Sequence, residues 1–268
     1  MAVPFDHMAP TYDSAFTYSA IGQLQRRHVW GYLEKALTEL HGLEILELNC
    51  GTGEDAVLFG DRGFNIIATD VSEEMLKVAD TKIRQHALQH KINSQYLDLD
   101  SFDEASFPKK FDLIFSNFGG LNCISPRAFK KLLSRIPSIL SPGGRFIAVV
   151  MARHCLWETL YFILKLQPRK AFRRWTKKMI TADLNGHDLK IWYYKPGEIK
   201  KWAAPAFSTA RILPVGFTVP PSYLENFFRR KQKTLLLLNA IEKRISRFKM
   251  LASFSDHYII DLKLKSKK

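Results

Sequence analysis

The chain has 268 residues, of which 46% are hydrophobic, and carries a formal net charge of +14. This length and apolar content predict a folded globule and exclude a disordered or low-complexity chain. Its three cysteines, Cys50, Cys123 and Cys155, are odd in number and lack metal-ligand spacing, so we expect a reducing compartment and no metal site. Because we see neither a secretory signal nor an apolar run long enough to cross a membrane, we expect a cytoplasmic protein.

The charge is distributed unevenly along the chain. Residues 1–150 carry 15 basic and 18 acidic side chains, net −3, whereas residues 151–268 carry 25 and 8, net +17. This asymmetry suggests that the second half faces something acidic: a membrane surface, a phosphorylated carrier, nucleic acid or an anionic substrate. A solvated basic face without a partner explains it equally well.

The first elements predict half of a parallel nucleotide-binding unit. A short segment and an amphipathic helix over 21–40 precede the stretch LEILELNCGTGEDAVLFGDRGFNIIATD of residues 43–70. That stretch reads as a strand, a glycine turn, a helix and a second strand. Gly51 and Gly53 give the turn its backbone freedom, and Asp70 ends the second strand, where a carboxylate can accept both hydroxyls of a ribose.

Strands and helices continue to alternate as far as residue 151. We predict a helix starting after Ser72 as its N-cap, a short third strand over 95–97 and a buried fourth strand over 111–118. A helix over 126–140 then leads through the turn Ser-Pro-Gly-Gly into a fifth strand. This alternation predicts a doubly wound parallel sheet, an α/β fold.

The regular alternation of strands and helices ends after residue 151. We predict a helix interrupted at Pro168 and followed by a basic aromatic segment, then an extended piece and a helix opened by Pro196. A strand that ends at Pro220, a long basic helix over 223–249 and a last strand complete the chain.

Two cofactor classes fit the central stretch. The letters GTGEDA satisfy the loose dinucleotide pattern, so an NAD-dependent oxidoreductase is one possibility. However, the ordered motifs LELNCGTG, ATDVSEEML, YLDLDSF, FDLIFSNF and LSPGGRF together resemble the class I S-adenosylmethionine-dependent methyltransferases of the small-molecule type, over about residues 40–151. The resemblance implies a Rossmann-like fold: a doubly wound, mostly parallel seven-stranded sheet whose last strand is antiparallel, with helical cap insertions.

The resemblance also implies a division of the chain. A single methyltransferase domain would span residues 1–268. Within it we expect an N-terminal helical lid over 1–42, a cofactor-binding core over 43–151, and helical cap insertions over 152–189 and 221–252.

By the same resemblance, S-adenosylmethionine lies across the carboxyl ends of the first strands and leaves as S-adenosylhomocysteine. The backbone from Asn49 through Gly51 to Gly53 would face its methionine part, with Glu47 beneath, and Asp70 would bind the ribose. Asn49 stands where the family has its first glycine. Since asparagine tolerates left-handed backbone angles well, we expect the loop to keep its shape and to gain a side-chain hydrogen bond.

The remaining implied contacts surround the adenine and the methyl group. Val71 and Met75 would flank the adenine, and Asp98 with the Leu99 amide would read its amino edge. Ser116, Asn117 and Phe118 would line the gap through which the methyl leaves, and Tyr12 and Tyr18 would close over the cofactor. Some of these residues have an ordinary structural alternative: Asp98 as a turn or capping aspartate and Met75 as core packing. Tyr12 and Tyr18 fit a structural role better than ligand binding.

The sequence offers no clear general base, only His28, His154 and His187 as weak candidates in segments that would roof the site. Aromatic residues are frequent in the insertions, so we expect a small apolar or aromatic acceptor of natural-product, quinone or lipid-like type. An RNA or ribosomal methyltransferase and a non-catalytic partner protein with the same fold are the alternatives. Nucleic acid is the less favoured partner, because the loop SNFGG lacks the proline-aromatic signature of amino-directed nucleic-acid methyltransferases.

The segment from Leu156 to Ile180 joins an apolar stripe to a run of cations. Such a composition suits contact with an anionic membrane surface, which we expect as a peripheral interaction. The oligomeric state stays open.

Overall fold

The computed structural model describes residues 4–40, 42–184 and 186–266, with Leu184 described by its backbone alone. Within these ranges the strands are β1 Glu44–Leu48, β2 Asn65–Asp70, β3 Ile92–Tyr96, β4 Phe111–Ser116, β5 Leu140–Met151, β6 Ile180–Leu184, β7 His187–Ile191, β8 Phe207–Val215 and β9 His257–Leu264. The helices are α1 Ala9–Tyr12, α2 Ala20–Leu37, α3 Glu54–Asp61, α4 Glu73–Gln85, α5 Pro126–Ile139, α6 Leu156–Leu164, α7 Pro168–Ala171, α8 Pro196–Ala203, α9 Glu225–Phe228 and α10 Gln232–Ile245.

In the part of the chain that is described, seven strands form one sheet in the order β3-β2-β1-β4-β5-β9-β8. Strands β1 to β5 are parallel, and β9 runs antiparallel to both of its neighbours, β5 and β8. The predicted fold class, a doubly wound and mostly parallel seven-stranded sheet, is therefore confirmed.

Helices cover both faces of the sheet, which is why its inner strands are apolar on both sides. Leu46 and Leu48 of β1 pack on one face with α5 and α8, whereas Ile45 packs on the other face with α2, α3 and α4. Ser72 caps α4 as predicted, because its hydroxyl accepts the Met75 N–H at 3.2 Å.

The third strand lies earlier than predicted, over Ile92–Tyr96 instead of 95–97. It pairs with β2 at the edge of the sheet, so its sequence is polar and half exposed and lacks the apolar run of a central strand. Strand β8 is shorter than predicted and ends at Val215, not Pro220. Gly216 has a φ of +71°, and the N–H groups of residues 217–219 donate to Glu242 of α10 instead of to a strand.

The expected cap insertions differ from the prediction in two places. Residues 152–189 are helical only in their first half, because β6 and β7 form an antiparallel hairpin in which Gly186, with a φ of +86°, donates its N–H to Asp183. The long helix expected over 223–249 is broken into a short turn, α9 and α10. The break falls at the three consecutive cations Arg229, Arg230 and Lys231.

Among the described residues, no helix combines the length and the apolar character that crossing a membrane requires.

Candidate active site

The loop between β1 and α3 reverses the chain, and three of its residues have left-handed backbone angles. Asn49, Gly51 and Gly53 have φ values of +58°, +53° and +74°. A Cβ at Gly53 would lie 2.9 Å from the Cβ of Ala79 on α4, so this glycine lets α3 and α4 pack closely. A Cβ at Gly51 would meet no protein atom within 4 Å, which leaves the loop open in front of its backbone.

Asn49 holds the loop against the end of β4. Its Oδ1 accepts the Ser116 hydroxyl at 3.2 Å, so the expected left-handed backbone and the expected side-chain hydrogen bond are both present. The contact is tight, since a Cβ added at Gly120 would lie 2.4 Å from the Cβ of Asn49. Gly120, which the sequence analysis passed over, is therefore part of the loop's support.

Asp70 ends β2 beside this loop and is buried, with 9% exposure. Its Oδ2 accepts the Gly51 N–H at 2.8 Å and its Oδ1 accepts the Ser72 N–H at 2.9 Å. Burial raises the pKa of the Asp70 carboxyl, while these backbone hydrogen bonds act to lower it. A carboxylate oxygen can accept two hydrogen bonds, so each oxygen retains capacity for a hydroxyl of a ligand.

Glu47 lies under the same loop with 1% exposure. Its Oε2 has no hydrogen-bond partner among the described residues. Burial raises the pKa of Glu47 well above its usual value, the Asp55 carboxylate raises it further, and the Arg26 guanidinium opposes them. An unsatisfied buried acceptor is costly, so the site fits a ligand that brings a cation or a hydrogen-bond donor to Glu47.

Asp55, in the first turn of α3, collects three donors and organises the segment after β4. Arg26 donates at 2.5 Å, Trp30 at 2.7 Å and the Asn117 amide at 2.8 Å. Asn117 in turn accepts the N–H of Phe118, whose φ is +40°. This network fixes the predicted gap residues. Arg26 and Asp55 were missed because nothing in their local sequence separates them from surface residues of amphipathic helices.

The N-terminal segment closes over the loop through ion pairs. Asp13 accepts the Thr52 hydroxyl at 2.7 Å and the Lys82 ammonium at 2.9 Å, and Lys82 also binds Glu54 at 2.7 Å. Tyr18 lies at the outer rim, 53% exposed, with its hydroxyl donating to Glu54 at 3.2 Å.

Tyr12 lies deeper than Tyr18. Burial raises the pKa of its phenol, the Arg26 guanidinium lowers it, and the Asp70 carboxylate raises it, which places the ring in the electrostatic field of the site. Both tyrosines thus remain predicted contacts, with Tyr12 the better placed.

Most of the residues predicted to contact the adenine are buried or take part in contacts within the protein. Met75 is 2% exposed and packs against Met8 and Ala9 of the N-terminal segment, which agrees with the alternative that it is a core residue. Asp98 caps a 3-10 turn by accepting the Asp100 N–H at 2.9 Å, and Leu99 is buried. Val71, between Asp70 and Ser72, is partly exposed.

The three histidines proposed as bases are spread over the molecule. His28 lines a groove between α2 and α10, so it does not roof the site. His154 packs beside Trp175, with ring centroids 4.6 Å apart, and burial lowers its pKa. His187 of β7 stacks on His7 at 4.0 Å, where the hairpin meets the N-terminal segment.

His257, which was not predicted from the sequence, is the histidine among the described residues whose ring contacts Phe118. The two rings meet edge to face at 5.5 Å, and β9 places His257 opposite Met151, at the carboxyl end of β5. Its Nδ1 lies 3.1 Å from Oδ2 of the buried Asp256. Burial alone would raise the pKa of Asp256, but His257 and Arg174 hold it well below its usual range.

The Asp256–His257 pair is anchored to the cap. Arg174 donates to Asp256 at 3.0 Å and to Glu158 of α6 at 2.9 Å, and all three side chains are nearly fully buried. The aromatic side chains of the cap mostly contact each other, as in the pairs of Trp157 with Phe228 and of Tyr161 with Tyr223.

Comparison with known proteins agrees with this geometry. Residues 45–144 match a family model described as a methyltransferase domain. The chain is 30% identical over 143 residues to a demethylmenaquinone methyltransferase of Clavibacter sepedonicus, covering 53% of this chain and 54% of that protein. It is 29% identical over 167 residues to the protein of the same name from Paenarthrobacter aurescens (strain TC1), covering 60% and 59%. The chain thus spans little more than half the length of these relatives.

Solved structures share the fold at lower identity. CcbJ methyltransferase from Streptomyces caelestis matches with a TM-score of 0.64 and 14% identity, covering 99% of each chain. DhpI, solved in complex with S-adenosylhomocysteine, matches with a TM-score of 0.60 and 16% identity, covering 98% of this chain and 94% of that one. The sheet order, the glycine loop with its acid at the end of β2 and the match over residues 45–144 lead to one conclusion: the chain contains a methyltransferase domain and shares the fold of the S-adenosylmethionine-dependent methyltransferases.

Proposed function

We propose that this protein transfers the methyl group of S-adenosylmethionine to a small apolar acceptor of the quinone type. One observation supports the cofactor part: two buried carboxylates lie beside the same glycine loop. Asp70 has acceptor capacity left on both oxygens, and one oxygen of Glu47 has no hydrogen-bond partner among the described residues. The acceptor class follows the curated relatives, which are named demethylmenaquinone methyltransferases.

Each part of the site has a role in this proposal. Asp70 accepts the ribose hydroxyls, and the open backbone at Gly51 admits the methionine part of the cofactor. Glu47 balances the positive charge of the ligand, whose binding would lower the pKa of this buried carboxyl. When bound, the cofactor supplies a methyl carbon that its sulfonium already activates, so the protein mainly positions the acceptor in line and excludes water.

We further propose that His257 is the acid–base residue. A quinol hydroxyl is protonated at neutral pH, so its ring carbon becomes a good nucleophile once the hydroxyl proton is removed. His257 would take that proton while Asp256, kept ionised, stabilises the imidazolium. The ring carbon would take the methyl while the electron pair of the broken sulfur–carbon bond stays on sulfur. Loss of the ring hydrogen as a proton would restore aromaticity, and His257 would return its proton to the quinolate oxygen. The balance is one methylated quinol, one S-adenosylhomocysteine and one proton.

A turnover assay tests the proposal. The purified chain is incubated with methyl-labelled S-adenosylmethionine and a short-chain demethylated naphthoquinol kept reduced in detergent, and the quinol is analysed by mass spectrometry. We expect one labelled methyl group per product molecule, strongly reduced in Asp70→Asn. Binding of S-adenosylhomocysteine without labelled quinol would refute the acceptor class alone. Failure to bind S-adenosylhomocysteine would refute the whole proposal.

A quinone with an isoprenoid tail resides in lipid, so peripheral attachment to a membrane, together with a cytoplasmic location, completes this proposal.

A further inference from the structure

Helix α6 presents an apolar stripe to solvent. Leu156, Leu160, Ile163 and Leu164 recur at helical spacing and are exposed by 38%, 55%, 45% and 84%. The other side of α6 is packed, since Glu158 is buried. A helix of a globular protein normally turns its apolar stripe inward, so an outward stripe indicates an interaction surface.

The turn after α6 extends the stripe at an energetic cost. Leu166 has a φ of +56° and is 89% exposed. A leucine in the left-handed region is strained, and glycine would adopt the same backbone freely. Because the exposed side chain packs little within the protein, the fold does not explain why leucine stands there.

The second cap segment continues this surface. Trp157 of α6 packs edge to face on Phe228 of α9 at 6.0 Å, and Phe162 stacks on Tyr223 at 6.2 Å. Next to them Phe227 is 56% exposed and carries the Lys231 ammonium over its ring at 3.8 Å. We name the surface formed by residues 156–172 and 223–233 the docking face.

The docking face and the chain segments on either side of it are strongly basic. Residues 152–178 and 221–252 contain sixteen lysines and arginines but only three acids, Glu158, Glu225 and Glu242. All three acids are engaged inside the protein: Glu158 binds Arg173 and Arg174, Glu225 accepts N–H groups at the start of α2, and Glu242 accepts those of residues 217–219. Cations such as Lys165, Arg169 and Lys170 remain outside.

We propose that the docking face binds the surface of an anionic lipid bilayer, with Leu164 and Leu166 inserted among the lipids and the surrounding cations on the headgroups. Exposed aliphatic side chains ringed by lysine and arginine suit an interface between headgroups and acyl chains. Single-stranded nucleic acid would instead call for exposed aromatic stacking platforms at the centre of the face. Among the large hydrophobic side chains of the face, Leu164 and Leu166 are the most exposed, and the aromatic residues Phe227, Phe172 and Tyr223 are less exposed.

The docking face lies next to the active site. Helix α6 starts shortly after β5, at the sheet edge that carries Phe118 and His257, and the Leu156 N–H bonds the carbonyl of Phe254 at 3.0 Å. A bilayer on this face would therefore hold the cleft close to lipid-dissolved molecules. The inference stands without the proposed acceptor, since it concerns binding alone.

Co-sedimentation with vesicles tests it in the absence of cofactor and acceptor. Vesicles of phosphatidylcholine alone are compared with vesicles of phosphatidylcholine and phosphatidylglycerol, at low and high salt. We expect the full chain to bind the anionic vesicles and to be released by salt. Leu164→Ser and Leu166→Gly should each weaken binding by about ten-fold or more, the loss expected when one inserted leucine is removed.

Two features keep the result interpretable. Leu166→Gly relieves strain, so it should fold at least as well as the wild type, and Leu43→Ser removes an exposed leucine from the opposite edge of the sheet as a matched control. The proposal is overturned if the wild type ignores anionic vesicles, or if Leu166→Gly binds them as tightly as the wild type. It is also overturned if the same substitutions dissolve a dimer, or abolish binding of a single-stranded RNA, while vesicle binding persists.

Discussion

Replacing Asp70 by asparagine tests the centre of the site with a change of one atom. In the wild type both carboxylate oxygens are occupied, one by the Gly51 N–H and one by the Ser72 N–H. An amide has only one oxygen, so its NH₂ group must face one of these two donors. That donor then lacks an acceptor in a buried place, and one ribose hydroxyl loses a charge-assisted hydrogen bond.

The size of the effect follows from these contacts. A hydrogen bond to a charged group contributes about 1.5–3 kcal/mol, and weakening of the second one adds about 1 kcal/mol. We therefore expect the cofactor to bind more weakly by about 2.5–4 kcal/mol, which corresponds to roughly 60- to 700-fold in Kd. The loss of stability should be smaller, because burial already disfavours the charged form of Asp70, as its raised pKa reflects.

Calorimetric titration with S-adenosylhomocysteine measures the change, and circular dichroism monitors the fold. Asp61→Asn is the matched control, since Asp61 is half exposed and lies on α3, with the His86 ring 3.9 Å from its carboxylate. If Asp70→Asn keeps its fold and binds S-adenosylhomocysteine within about three-fold of the wild type, equivalent to well under 1 kcal/mol, the ribose role is wrong.

Three further predictions concern the same site. Since burial raises the pKa of both Asp70 and Glu47, cofactor affinity should fall on acidification at a higher pH than ordinary carboxyl pKa values imply, and Asp70→Asn should remove only the part of this dependence that Asp70 contributes. Gly120→Ala should cost about 1–3 kcal/mol of stability and weaken cofactor binding, because its Cβ would overlap Asn49; Gly31→Ala, whose Cβ meets nothing within 4 Å, should be neutral or stabilising in thermal unfolding. His257→Gln should lower kcat for quinol methylation by about 10²- to 10⁴-fold while S-adenosylhomocysteine affinity stays unchanged; an unaltered kcat would contradict the acid–base role.

The sequence was sufficient for the parts of the molecule that local rules determine. The glycine turn, the acid at the end of β2 and the cap at Ser72 each depend on residues close together in the chain, and the structure has all three. The ordered motifs also favoured the methyltransferase family over the NAD-dependent alternative, in agreement with the match over residues 45–144.

The parts that were missed depend on contacts between distant residues. His257 reaches Phe118 only because β9 inserts antiparallel beside β5, a pairing that no local pattern contains. Glu242 ends β8 early from 23 to 25 residues away in sequence. The sequence predicted an extended piece where β7 lies, but β6 and the pairing of the two strands were missed.

The two ion pairs of Lys82, which we call the ionic clasp, connect the N-terminal segment to the loop and should affect the rate of cofactor exchange. Asp13 on the N-terminal segment and Glu54 on α3 share this one ammonium, so movement of the segment away from the loop breaks the Lys82–Asp13 ion pair and leaves Lys82 with Glu54 alone. Exchange of spent for fresh cofactor would then wait on the release of this clasp, and dissociation of the product should quicken as ionic strength rises. The rate of product release would then be set at the N-terminal segment, away from the position where the methyl group is transferred.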